Sequence, residues 1–158
     1  MTRAPMQVVL IPFRRREGQD PQYALFQRSD DGNWQPIAGG AEDSETPAEA
    51  ARREAQEEAR LPLRTPLYRL QAFDTVPVIH FEARDLWPED LYVVPQYTFA
   101  ADASDVGIEI SDEHTRYEWL DFDAATSRLA YQSNAIALWE LNERLKRHDL
   151  PEPIQAPS

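Results

Sequence analysis

The chain has 158 residues, 42% of them hydrophobic and 28% charged, which suits one soluble domain large enough to bury a core. Twenty-eight acidic against sixteen basic side chains leave a net charge of −12, a field that repels a polyanion. A nucleic-acid polymer is thereby excluded as partner, whereas a small phosphorylated ligand carried by a cation is not. The absence of cysteine removes disulfides, thiolate nucleophiles and cysteine-bound zinc, and His80, His114 and His148 lack the spacing of a histidine zinc site.

Met6–Phe13 is a strand-like apolar run, too short to span a bilayer. Its basic cluster, Arg14-Arg15-Arg16, follows it, the reverse of a signal peptide, so a cytoplasmic protein with no membrane partner is expected. A charged turn around Gly18–Pro21 leads to a second strand, Gln22–Gln27. The polar loop Ser29–Asn33 then runs into Trp34–Gly40. Thr46-Pro47-Ala48-Glu49 is a capping box with proline at the first helical position, and it opens a helix that Leu61-Pro62 stops. Leu67–Ala72 and Val78–Phe81 read as strand pieces broken by prolines, followed by strands at Val93–Ala101, Val106–Ile110 and Arg116–Leu120. A short helix within Asp123–Ala130 and a longer one from Asn134 to Arg147 close the domain. In the longer one Leu138, Leu141 and Leu145 recur at helical spacing, and Ser133 or Asn134 serves as cap. The expectation is an α/β fold in a single domain over residues 1–150, with 151–158 a flexible tail carrying three prolines.

Two of only five glycines are adjacent, Gly39-Gly40, just before the first helix. Glycine is used where the backbone takes positive φ or where another group comes close. On a helical wheel Ala48, Ala51, Ala55 and Ala59 form a narrow stripe suited to packing on a sheet, with Arg52, Arg60, Gln56 and Glu49 mostly opposite. Glu54, Glu57 and Glu58 share a third face, where each like-charged pair costs ~0.2–0.5 kcal/mol. A divalent cation between them inverts the sign of that interaction, and an all-oxygen donor set selects Mg²⁺ or Mn²⁺. The alternative, a solvated acidic face, leaves Gly39-Gly40, Glu45 and Arg53 without a reason.

Gly39, five residues, Glu45, seven residues, Arg53-Glu54, two residues and Glu57-Glu58 together resemble the signature of the Nudix hydrolases. Two softer positions depart from it: Ala55 replaces a larger aliphatic residue, and Arg60 replaces the customary glycine after the helix. Trp34-Gln35, Glu113-His114 before Tyr117-Glu-Trp-Leu120, and Ser133-Asn134-Ala-Ile136 are similar to the bacterial dihydroneopterin triphosphate and dNTP pyrophosphatase branch. The resemblance implies an α/β/α sandwich with a mixed sheet and a catalytic loop–helix motif. It further implies Mg²⁺-dependent (or Mn²⁺-dependent) hydrolysis of a nucleoside or pterin triphosphate to the monophosphate and pyrophosphate, by a monomer or homodimer. Its alternatives are an ADP-ribose or nucleotide-sugar pyrophosphatase and a nucleotide-sensing module without turnover. On this resemblance Glu54, Glu57, Glu58 and Glu113, with Gly39, hold the metal, and a Glu45–Arg53 ion pair orients the helix carboxylates. Glu113 is the candidate extra ligand or base, and His114 is structural. Arg28, Trp34, Gly39, Gly40 and Tyr131 are the candidate substrate contacts, with Trp87 and Tyr92 as further aromatics that a base could stack on.

Overall fold

The computed structural model describes residues 2–157. Seven strands build one mixed sheet: β1 (Arg3–Arg14), β2 (Gln22–Arg28), β3 (Trp34–Gln35), β4 (Ile37–Glu42), β5 (Leu67–Pro77), β6 (Val93–Asp102) and β7 (His114–Leu120). β1 is the hub, and every residue from Val8 to Phe13 is buried because both faces of the sheet are covered. It pairs parallel with β6 on one side. On the other side it pairs antiparallel with β4 up to Leu10 and then with β2 at Phe13 and Arg14. β5 lies antiparallel outside β6, and β3 and β7 flank β2.

Alternation along β1 sends its side chains to two cores. Val8 and Leu10 join Phe26, Ile37 and Phe99 beneath α1 (Pro47–Ala59), which buries Ala50, Ala51, Ala55 and Ala59 there. Small side chains bring the helix axis close to the sheet. Ile11 and Phe13 join Tyr23, Leu25 and Leu70 on the other face, under α2 (Phe122–Arg128) and α3 (Gln132–Lys146), with Leu138, Leu141 and Leu145 as anchors. Burying one such leucine stabilises the fold by roughly 1.5–3 kcal/mol. The result is a sheet between two helical layers. Among the described residues no helix is long and apolar enough to cross a membrane.

The capping box forms in full: Thr46 Oγ1 accepts from the Glu49 N–H at 3.2 Å, and Glu49 Oε1 accepts from the Thr46 N–H at 2.9 Å. Arg60 takes the left-handed conformation (φ 57°, ψ 30°) that a glycine would adopt at this helix end.

Five expectations are corrected. Val78–Phe81 is no strand: β5 runs unbroken to Pro77 and gives way to a 3₁₀ turn over Val78–His80. Val106–Ile110 forms no strand and pairs with none in the sheet. It straps the end of α1, with Ile108 buried and the Glu109 N–H donating to the Ala59 carbonyl at 3.1 Å. The cap position of α3 is Tyr131, and neither Ser133 nor Asn134 caps it. Arg52, placed opposite the alanine stripe by the wheel, is buried, because its guanidinium donates to the carbonyls of Leu63, Thr65 and Ile154. The tail is tied down through the same contact, and the Ile154 N–H adds a bond to the Leu67 carbonyl at 2.7 Å.

Candidate active site

The acidic edge of α1 faces β4, and the two glycines explain how closely. Neither Gly39 nor Gly40 has positive φ. A methyl group on Gly39 would overlap the Glu54 carboxylate, and one on Gly40 would overlap the Arg3 guanidinium. Both are therefore glycines because of close approach. Arg3 stands beside this candidate site, and sequence reasoning missed it. Its Nη2 donates to Gln7 Oε1 at 2.8 Å, its buried Nε has no partner, and its charge is felt at Glu54. The only signal for it was the glycine beneath it.

Arg53 organises the loop and the helix. Its Nε and Nη2 donate to both oxygens of Glu45, at 2.8 and 3.0 Å, and Nη2 also reaches the Gly40 carbonyl at 2.7 Å. Glu45 in turn accepts from the Glu42 N–H at 2.8 Å. The Arg53 Nη1 lies between Glu54 Oε1 (3.0 Å) and Glu57 Oε2 (3.2 Å), with Glu42 Oε1 at 3.7 Å. A bidentate guanidinium holds such a constellation in one plane, which an ammonium does not. Bonding to Arg53 holds the Glu45 carboxyl below its ordinary range.

Glu54 and Glu58 behave in the opposite way. Burial pushes Glu54 up to about 7, against the pull of Arg53 and helped by Glu57 and Glu113. Burial pushes Glu58 up to about 10, with Glu113 close enough to share a proton and Glu54 adding repulsion, while the Ala38 backbone opposes the shift. Glu58 Oε2 is buried with no partner. The fold thus brings Glu113, 55 positions beyond Glu58, to the helix edge. Among the described residues no three carboxylate or imidazole groups already stand at metal-ligating distances. Arg53 draws Glu57, the most exposed of the three, to itself. An orphaned, desolvated carboxylate oxygen and an all-oxygen donor set nonetheless suit a hard divalent cation.

β4 separates this edge from a cavity of about 520 Å³. Ala38, whose backbone opposes the shift at Glu58, also lines the cavity. Arg28, Gln35 and Tyr131 line the cavity nearby. Arg28 is also paired with Asp30, its Nε donating to Oδ1 at 2.8 Å. Gln35 is 8% exposed and its Nε2 has no partner. Trp34 does not line the cavity: the guanidinium groups of Arg116 and Arg128 lie 5.2 and 4.8 Å from its ring centre. Trp87 is buried and donates its indole N–H to the Arg3 carbonyl at 3.0 Å, and Tyr92 stands 77% exposed away from the cavity wall. His114 is buried against Phe26, with burial holding its imidazole below the ordinary range.

The NUDIX domain model matches residues 4–140. A Listeria monocytogenes protein classed as a NUDIX hydrolase is 38% identical, with a TM-score of 0.85 over 93% of this chain and 98% of that one. The E. coli dihydroneopterin triphosphate pyrophosphohydrolase shares the fold at 23% identity, TM-score 0.72, over 90% and 99% of the two chains. An octanoyltransferase of Myxococcus xanthus is 32% identical over 146 residues, which are 90% of this chain and 36% of that protein. The chain therefore spans about a third of the length of that curated relative.

Proposed function

The chain belongs to the NUDIX family, hydrolases of phosphoric anhydride bonds, and from that premise we propose that it cleaves a nucleoside or pterin triphosphate, with Mg²⁺, to the monophosphate and pyrophosphate. One observation carries the reading: a buried carboxylate cluster that burdens the fold unless a cation joins it stands across one strand from a ligand-sized cavity. A chain of net charge −12 does not attract a polyphosphate unaided, so a bound cation serves affinity as well as chemistry.

Glu54, Glu58 and Glu113 would hold the ion, with Glu57 joining when it leaves Arg53. Once bound, Mg²⁺ would neutralise phosphate oxygens and lower the pKa of an attacking water. The chain supplies the rest. Glu45 and the Gly40 carbonyl fix Arg53, and Arg53 fixes Glu54. Glu113, which reaches the cluster from outside the helix, would take the proton from the water whenever the ion does not engage it. Arg28 offers a cationic contact for phosphate from the cavity wall.

A substrate panel with and without Mg²⁺ tests this. The expected product pair is monophosphate plus pyrophosphate from a triphosphate, abolished by chelator. Turnover confined to ADP-ribose, or successive release of single phosphates from the triphosphate, contradicts it.

A further inference from the structure

Sheet register extends the cavity far from the carboxylates. Gly40, Gln7, Gln96 and Asp74 are successive cross-strand partners on β4, β1, β6 and β5, so their side-chain positions share one rung and one face. Asp74 lies three strand spacings from the β4 edge, about 14 Å. Asp74 and Gln96 line the 520 Å³ cavity and also an adjoining one of about 190 Å³ that Ile136 and Ser133 help to wall. Gln96 is 7% exposed, so its amide is held in place by its surroundings. Asp74 Oδ1 accepts from the Thr75 N–H at 2.8 Å, which leaves carboxylate lone pairs for a ligand.

A carboxylate at this position repels phosphate, so what it meets must be rich in donors. The groups at the end of an extended nucleotide opposite its phosphates are those of the base. Adenine and cytosine put an acceptor nitrogen beside their amino group, and that acceptor would face the carboxylate unfavourably. Guanine presents a carbonyl, an N–H and an amino group in a row. Cross-strand Cβ atoms stand about 4.5–5.5 Å apart, a spacing at which an amide and a carboxylate act together on one base edge. Resting on the triphosphate reading above, we propose that Asp74 and Gln96 are the specificity-determining pair. Asp74 accepts the two adjacent N–H donors of an oxo-amino-pyrimidine edge, as in guanine or a pterin, and Gln96 donates to its carbonyl.

Calorimetric binding to the whole chain in the presence of Mg²⁺ tests the pair apart from catalysis, because a monophosphate has no anhydride bond to cleave. The probes are guanosine, inosine and adenosine monophosphates. Inosine lacks only the 2-amino group, and adenosine replaces the carbonyl by an amine. The guanosine nucleotide is expected to bind about tenfold or more tightly than either, the discrimination of one good bidentate contact. In Asp74→Asn the guanosine-to-inosine ratio falls towards one, and in Gln96→Glu the adenosine nucleotide gains on the guanosine one. Asp74 is exposed, so its substitution leaves the core intact. The proposal is overturned by near-equal binding of the three, by no binding up to millimolar concentration, or by an unchanged ratio in Asp74→Asn. It is equally overturned if that variant alters discrimination between ribose and deoxyribose instead of between bases. Pyrophosphate release from triphosphates is read separately, so indifferent turnover of all bases sinks this inference alone, and selective binding without turnover sinks the proposed function alone.

Discussion

At the scale of single residues, the site is made by what is missing as much as by what is present. Gly39 leaves room for the Glu54 carboxylate, and nothing else about its backbone requires glycine. Gly39→Ala should therefore displace Glu54 and lower kcat by at least about tenfold, because a misplaced catalytic group loses that much and more. Steady-state kinetics beside an unchanged circular dichroism spectrum would check it; full activity would show that Glu54 does not need this position. Arg60 makes the opposite case. A left-handed arginine is strained where glycine is not, so Arg60→Gly should stabilise the protein by about 0.5–1 kcal/mol and leave kcat unaltered. Denaturant midpoints measure this directly. The box from Gly39 to Glu58 was legible because it is local, with caps, stripe and carboxylates all within one loop and one helix. Arg3 was not, since nothing near it in sequence marks a residue that folds over Gly40.

At the scale of elements, β4 and α1 act as one unit, and Arg52 ties that unit to the end of the chain. Its three bonds to carbonyls are charge-assisted and partly buried. Arg52→Ala should cost about 2 kcal/mol or more by leaving those carbonyls unpaired. Hydrogen exchange should then quicken in residues 151–157 before it quickens in the sheet. Equal protection in both forms would mean that the Ile154–Leu67 contact suffices. Periodicity placed α1, α3 and the central strands within a few residues of where they lie. It failed where pattern and pairing part company. Val106, Ile108 and Ile110 alternate inward as a strand would, yet that segment straps the end of α1 and pairs with no strand. The wheel also misplaced Arg52, because wheels weigh polarity and cannot see three carbonyls waiting in a distant turn.

At the scale of the whole molecule, the electrostatics of the site should govern stability. Glu54 and Glu58 have folded-state values raised above the ordinary 4.5, so the folded state binds more protons than the unfolded one between those limits. Their contribution is fully favourable below about 4.5 and is lost as pH rises through about 7 for Glu54 and towards 10 for Glu58. The metal-free protein should therefore lose stability from pH 5 to pH 8. Glu58→Gln, which cannot ionise, should flatten the slope and be more stable by about 1 kcal/mol or more at pH 8, while kcat falls by orders of magnitude. Thermal melts of both proteins in chelator check the sign; a wild-type midpoint that climbs over this range would refute it. The distant half of the cleft was not legible at all, because Gln7, Asp74 and Gln96 become neighbours only through strand register.

The most direct test is a calorimetric titration of the protein with Mg²⁺ near neutral pH, repeated in buffers of different ionisation enthalpy. Occupancy of a cluster that holds protons must expel them. Saturable uptake of the ion with release of about one proton or more, abolished in Glu58→Gln, is the predicted result. Absence of uptake, or uptake with no proton released, would contradict the assignment of this helix edge as a cation site.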